Sequence, residues 1–269
     1  MEIKGASVAD GSILPSLPFF AGSLAFLQQE LQSARPRMDQ LNQGFANEPA
    51  LTARLLVVCS QRWPQTCSHA SAALALLSID DLRAALVGPL GSPYANAVNK
   101  DSHYLAWRKY VLEVARIARS LARDLLLNEQ LAYSAGLLHA IHMIGSTNGG
   151  GLNDFPEKKK SSPLASLRKQ AFAFIASMPS GSSFKDSALF IKQWGMPEIL
   201  SNIVQNCEAP LEDDENISPL AAVLHLAVWR ACISSLGMTY STSTYPAEVA
   251  LSLGMDMDMV LHQEPIRWK

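Results

Sequence analysis

His139 and His142 stand three apart in the segment AGLLHAIHMIG (135–145), where a helix would put both imidazoles on one face. Neutral imidazole nitrogens bind zinc and related cations, and a thiolate such as that of Cys207 is a soft third ligand. A hydrolytic centre needs more than this. Several N and O ligands must converge on one point and leave a coordination position open for water. The other candidates are thinner. His69 lies two residues after Cys67, but the spacing of Cys59, Cys67 and His69 does not make an activated nucleophile. There is no GxSxG, and no GxGxxG follows a strand pattern. Gly149 to Gly151 come after a helical pattern and before the Lys158–Lys160 run, whereas a P-loop joins strand to helix and carries Gly-Lys-Ser/Thr. Both stretches read as surface loop.

The elements that must position these residues are helical. Residues 103–127 place Leu105, Val111, Val114, Ala118, Leu121 and Leu125 three or four apart, with Arg108, Glu113, Arg116, Arg119 and Arg123 mostly between them. Ser102 or Asp101 suits the N-cap. Further helices are expected over 16–33, 49–60 (opened by Pro49), 79–88, 129–143, 164–177, 184–194, 197–207, 218–236 and about 246–253. The 129–143 segment is apolar nearly all round and is expected to be one buried central helix. Trp107, Trp194 and Trp229 read as large core anchors, and Met255, Met257 and Met259 as part of a C-terminal turn. No stretch alternates with period two for long, so the fold class is all-α. Turn formers in 91–102 separate an N-terminal from a larger C-terminal helical lobe, and 145–163 reads as a second linker.

Composition sets outer limits. The chain has 269 residues, 48% hydrophobic and 17% charged, with a formal net charge of −2. That much apolar content with so little charge excludes disorder for the bulk of the chain. The near balance of 22 Lys+Arg against 24 Asp+Glu argues against direct nucleic-acid binding by charge. The four cysteines, Cys59, Cys67, Cys207 and Cys232, read as too few and too spread for a disulfide scaffold or zinc ribbon, so reduced thiols and a cytoplasmic setting are expected. The polar start MEIKGASVADG lacks the apolar core of a secretory signal. The longest apolar stretch, 221–236, is interrupted by His225 and Arg230 and is short for a bilayer span, so no membrane association is expected.

Several segments, in order, resemble one family. ILPSLP (13–18) is similar to an LPxLP opening, NEPALTARLL (47–56) to a DPALTARLL helix, AGLLHAIHMIG (135–145) to the AGLLHDIGK helix of HD phosphohydrolases, WGMPE (194–198) to a WGLPE turn, and LAAVLHLAVWRA (220–231) to a helix carrying LLHLAD. Together these resemble the HDOD family, the degenerate relatives of the HD phosphohydrolases. The resemblance implies two packed helical lobes, the C-terminal one an HD-like bundle. The implied layout is a tail (1–12), an N-terminal lobe (13–97), an HD-like lobe (98–236), and a C-terminal helix and tail (237–269).

The resemblance also locates the metal ligands of the catalytic relatives. The His that follows a Trp by two residues corresponds to Lys109, an ammonium that binds no metal. The His-Asp doublet corresponds to His139-Ala140. A third His falls near Ser183, the paired His near Asn206 and Cys207, and the closing Asp at Val228. Only His139 is retained, so no catalytic residue, metal or cofactor is expected. Lys109, His139, His142, Asn206, Cys207 and Val228 are the candidates to line a remnant pocket. The implied function is that of a non-catalytic bacterial signalling protein acting by protein–protein interaction in motility, stress or cyclic-dinucleotide-linked responses. Having no attached signalling domain, it would meet its partner in trans. The alternative is a sensor that holds a small anionic nucleotide in the remnant pocket, with Lys109 supplying positive charge. The same Lys109 can instead face solvent or pair with Glu113 one turn on.

Overall fold

The computed structural model describes residues 17, 19–87, 102–145, 183–212, 218–236 and 245–262, all helix and connecting turns with no strand among them. The helix expected over 164–177, most of both linkers and the lobe boundary at 97/98 fall outside the described residues.

The N-terminal lobe is built from α1 (Ala21–Gln32), α2 (Met38–Ala46), α3 (Pro49–Arg62), α4 (Ala70–Leu76) and α5 (Ile79–Leu86). Pro49 sits in the first turn of α3, where its missing N–H costs nothing. Every residue of α3 from Pro49 to Ser60 is buried, making it the centre of the lobe, with α2, α4 and α5 packed around it. Ser78 and Asp81 form a reciprocal capping box at the start of α5. Asp81 also receives Arg62 from the end of α3 at 2.7 Å, tying the two helices together.

The second set comprises α6 (Ser102–Asp124), α7 (Glu129–Leu138), α8 (His142–Gly145), α9 (Ser183–Gln193), α10 (Glu198–Gln205), α11 (Pro219–Leu236), α12 (Ala247–Ser252) and α13 (Met257–Leu261). Helix α6 lies between α7 and α11, while α10 packs against α7, α9 and α11. The inward stripe of α6 is Trp107, Tyr110, Val111, Val114, Ala118 and Leu121, all buried at helical spacing. Helices α6 and α7 touch backbone to backbone. A Cβ on Gly136 would come within 2.5 Å of the Ala115 Cα, so only glycine fits the crossing. Among the described residues, the buried apolar side chains form one cluster that includes both Leu17 and Val260, and α3 touches both α6 and α7.

Three expectations are corrected. Helices α2, α4 and α13 were not expected; two of them are very short and α4 is capped by His69 Nδ1, a residue that carries no strong N-cap signal. The expected 129–143 helix stops at Leu138, turns through His139–Ile141, and resumes as α8. Cys59 and Cys67 are bonded as a disulfide with Cα atoms 6.0 Å apart, although the sequence favoured reduced thiols. The α3 backbone ends at Arg62 and the turn after it folds back, a reversal that spacing alone does not reveal.

Candidate functional site

The break after α7 puts His139 at the centre of the HD-like lobe. Its Nδ1 lies 2.7 Å from the Gly136 carbonyl, which can only accept, so Nδ1 carries the hydrogen. Nε2 is then the acceptor, and the Tyr110 hydroxyl donates to it across 3.2 Å. The Tyr110 ring meets the imidazole edge-on at 5.3 Å, and Phe184 stacks on it at 6.1 Å. Tyr110 also hydrogen-bonds the Cys232 side chain on α11. Beside this chain, the Trp107 indole donates to the Ala140 carbonyl at 3.0 Å. The residue that resembles the aspartate of the His-Asp doublet therefore takes part only through its backbone. Trp107, Tyr110, His139, Ala140 and Cys207 are all buried.

Burial holds every titratable group of the cluster neutral. It pushes His139 down to about 4, with the Gly136 bond opposing. It pushes the Tyr110 hydroxyl and the Cys207 thiol well up, and Cys232 up to about 11. Such a seam is self-satisfied. Both ring nitrogens of His139 are occupied by protein, and the Tyr110 and Phe184 rings pack against its imidazole. Among the described residues, no three His, Cys, Asp or Glu side chains gather as a metal-binding group.

The six candidates separate. Cys207 is buried with its thiol neutral, and its carbonyl accepts from His225 Nδ1 at 2.8 Å. Val228 is half-buried on α11 against the core. His142 is half-buried and turned to the Ser187 hydroxyl on α9, 2.8 Å from its Nδ1, rather than towards His139. Lys109 and Asn206 do not join the cluster and are corrected here. Lys109 is exposed because Tyr110, next along α6, takes the inward direction, and Asn206 is the exposed C-cap of α10. Lys109 thus takes the solvent-facing alternative, and the positive charge that the nucleotide reading would place beside His139 is absent from that position.

Glu48 and Arg54 are almost wholly buried charged residues that the sequence pattern does not mark as such. Glu48, fully buried just before Pro49, accepts from the Tyr104 hydroxyl and from Arg108 Nε at 3.0 Å, while Arg108 also donates to the Asn47 carbonyl at 2.6 Å. Desolvation pushes the Glu48 carboxyl up against the pull of Arg108. This knot fastens the start of α3 to the long helix α6. Arg54, buried in the middle of α3, donates to the Val87 carbonyl at 2.5 Å and lies 6.0 Å over the Phe19 ring. The acid-proline-x-x-x-x-arginine pattern of NEPALTARLL held both residues, but nothing in it distinguished a buried carboxylate from a first-turn one.

The fold is similar to that of solved structures. A response regulator, MmoQ, from Methylococcus capsulatus str. Bath aligns at a TM-score of 0.61 with 17% identity, covering 95% of this chain and 100% of that one. A virulence factor from Campylobacter jejuni subsp. jejuni aligns at 0.57 with 14% identity, covering 91% and 90%. At these identities the likeness is one of fold. No similar sequence was found among curated proteins. The HDOD domain family matches residues 16–148, the stretch that holds the Glu48 knot, Tyr110 and His139. Through those residues the chain belongs to the HDOD domain family.

Proposed function

We propose that this HDOD protein is a non-catalytic signal-transduction or regulatory protein that acts by binding other proteins. One observation carries the reading. His139, the single position that retains a ligand of the catalytic relatives, has both ring nitrogens hydrogen-bonded within a packed aromatic core. A neutral, doubly bonded imidazole offers no lone pair to a cation and no route for substrate. The fold likeness to a protein named a response regulator supports the signalling part of the reading. The partner is a further signalling protein, met in the cytoplasm without a membrane or nucleic acid. A small anionic nucleotide is the weaker reading, because exposed Lys109 does not supply the charge that motivated it.

The test is direct. Purified protein is expected to hold no stoichiometric metal by elemental analysis and to leave phosphomonoesters and cyclic dinucleotides intact. Metal-dependent turnover that disappears in His139→Ala would overturn the reading.

A further inference from the structure

The last two residues of helix α3, Gln61 and Arg62, and the four-residue turn that follows, Trp63 to Thr66, are all exposed, while the cysteines on either side, Cys59 and Cys67, are fully buried. Cys59 belongs to the last turns of α3, and Cys67 precedes the His69 cap of α4. With Cα atoms 6.0 Å apart, the two lie within the separation that a disulfide spans. The turn is internally closed by the Thr66 N–H on the Trp63 carbonyl at 3.2 Å. Its Gln65 has φ +61°, in the left-handed region that non-glycine residues adopt uncommonly.

What Gln65 does in that conformation points across the molecule. Its Oε1 accepts the backbone N–H of Glu198 at 2.8 Å, a contact between residues 133 apart in sequence. Glu198 opens α10, and the residue before it is Pro197, which offers no side-chain cap. Gln65 thus serves an orphan N–H at a helix start from the other lobe. Trp63, two residues before Gln65, and Ile199, the residue after Glu198, are each 48% exposed.

We propose that Cys59 and Cys67 form a thiol–disulfide switch that latches the N-terminal lobe to α10 through Gln65 and sets the face bearing Trp63 and Ile199. The disulfide closes a short loop and removes freedom that the turn would otherwise regain. With the bond open, Gln65 relaxes from its left-handed conformation, and the Glu198 N–H turns to water. The chemistry balances as thiol–disulfide exchange. Two cysteine thiols give two electrons and two protons to a low-molecular-weight disulfide such as oxidised glutathione. One S–S bond forms in the protein, one breaks in the oxidant, and two glutathione thiols leave. The buried sulfurs react when the exposed turn opens. This inference does not rest on the non-catalytic reading above.

Trypsin cuts after Arg54, Arg62 and Arg83, so the two cysteines fall in separate peptides, 55–62 and 63–83. The full-length protein is equilibrated at a series of reduced-to-oxidised glutathione ratios, trapped by alkylation and digested. The linked peptide pair is expected to appear and vanish reversibly across the series. Amide exchange at the start of α10 is expected to rise at least fivefold on reduction. Gln65→Gly, an exposed change that removes both the acceptor and the left-handed strain, is expected to show the fast exchange in both redox states. A linked pair at no glutathione ratio, or equal α10 exchange in the oxidised and reduced protein, would overturn the proposal.

Discussion

Glu48 and His139 are buried to the same degree, and each accepts a hydrogen bond from a tyrosine of α6, Tyr104 for one and Tyr110 for the other. The resemblance ends there. Glu48 is given a cation, Arg108, and ties the start of α3 to α6. His139 is given only neutral partners: a phenol, a backbone carbonyl and aromatic faces. Charge has been kept where helices of the two lobes must be joined. Around His139, the position that the resemblance aligns with a metal ligand of the HD phosphohydrolases, the partners are uncharged. A buried ion pair is costly to assemble and very costly to break, whereas a neutral, satisfied seam tolerates loss of one member more easily.

The largest effect should therefore come from the ionic knot. Glu48→Ala leaves Arg108 and the Tyr104 hydroxyl without their shared acceptor, and should lower stability by about 3–5 kcal/mol. Urea denaturation read by circular dichroism would measure it. A loss below about 1 kcal/mol would mean that water reaches Arg108 readily and that the knot is not what joins α3 to α6.

The two sites also differ in their response to acid. Burial holds His139 near 4 against an ordinary 6.5, so between those values the unfolded chain binds a proton that the folded chain excludes. The stability from neutral His139 is complete above pH 6.5 and is lost as pH falls towards 4. At about 1.4 kcal/mol per unit, that amounts to about 3 kcal/mol. His69 and His142, also lowered by burial, add in the same direction. Glu48 runs the other way: its carboxyl is raised, so its folded state holds the proton longer and stability falls as pH rises above 4.5. In His139→Gln the group no longer titrates, and its stability deficit relative to the parent should shrink by about 3 kcal/mol between pH 7 and 4. A deficit independent of pH would show that His139 is charged or hydrated in the folded chain.

The sequence carried the helices whose apolar spacing and caps agree, such as Pro49–Arg62, Ile79–Leu86 and Ser102–Asp124. It failed where tertiary partners decide. The 129–143 pattern is uninterrupted in sequence, yet the ring of His139 takes the Gly136 carbonyl and the Trp107 indole takes that of Ala140. The chain there continues on tighter bonds, Ile141 to Leu138 and Met143 to Ala140. At the site, the residue types at the positions that the resemblance singles out were legible, because each is one residue at a motif position. What packs around His139 was not. Tyr110 sits on the same stripe as Trp107 and Val111 and looks like any core residue until His139 is placed beside it. Cys59 and Cys67 likewise needed the reversal after Arg62 before their separation meant anything.

The smallest effects come from neighbours on α6 that the fold sends in opposite directions. Tyr110→Phe keeps the ring but removes the donor to His139 Nε2, leaving a buried acceptor unsatisfied at a cost of about 1–2 kcal/mol. Lys109→Ala changes an exposed side chain one residue away and should move stability by less than about 0.5 kcal/mol. Thermal melts of the two variants in parallel give the ranking. The same pair also separates the two functional readings. If an anion occupied the old site, Lys109→Ala would abolish a thermal shift induced by a cyclic dinucleotide while Tyr110→Phe would spare it. A packed seam gives no such shift in the parent, and reversal of the ranking would mean that Lys109 reaches inward and that the site is open.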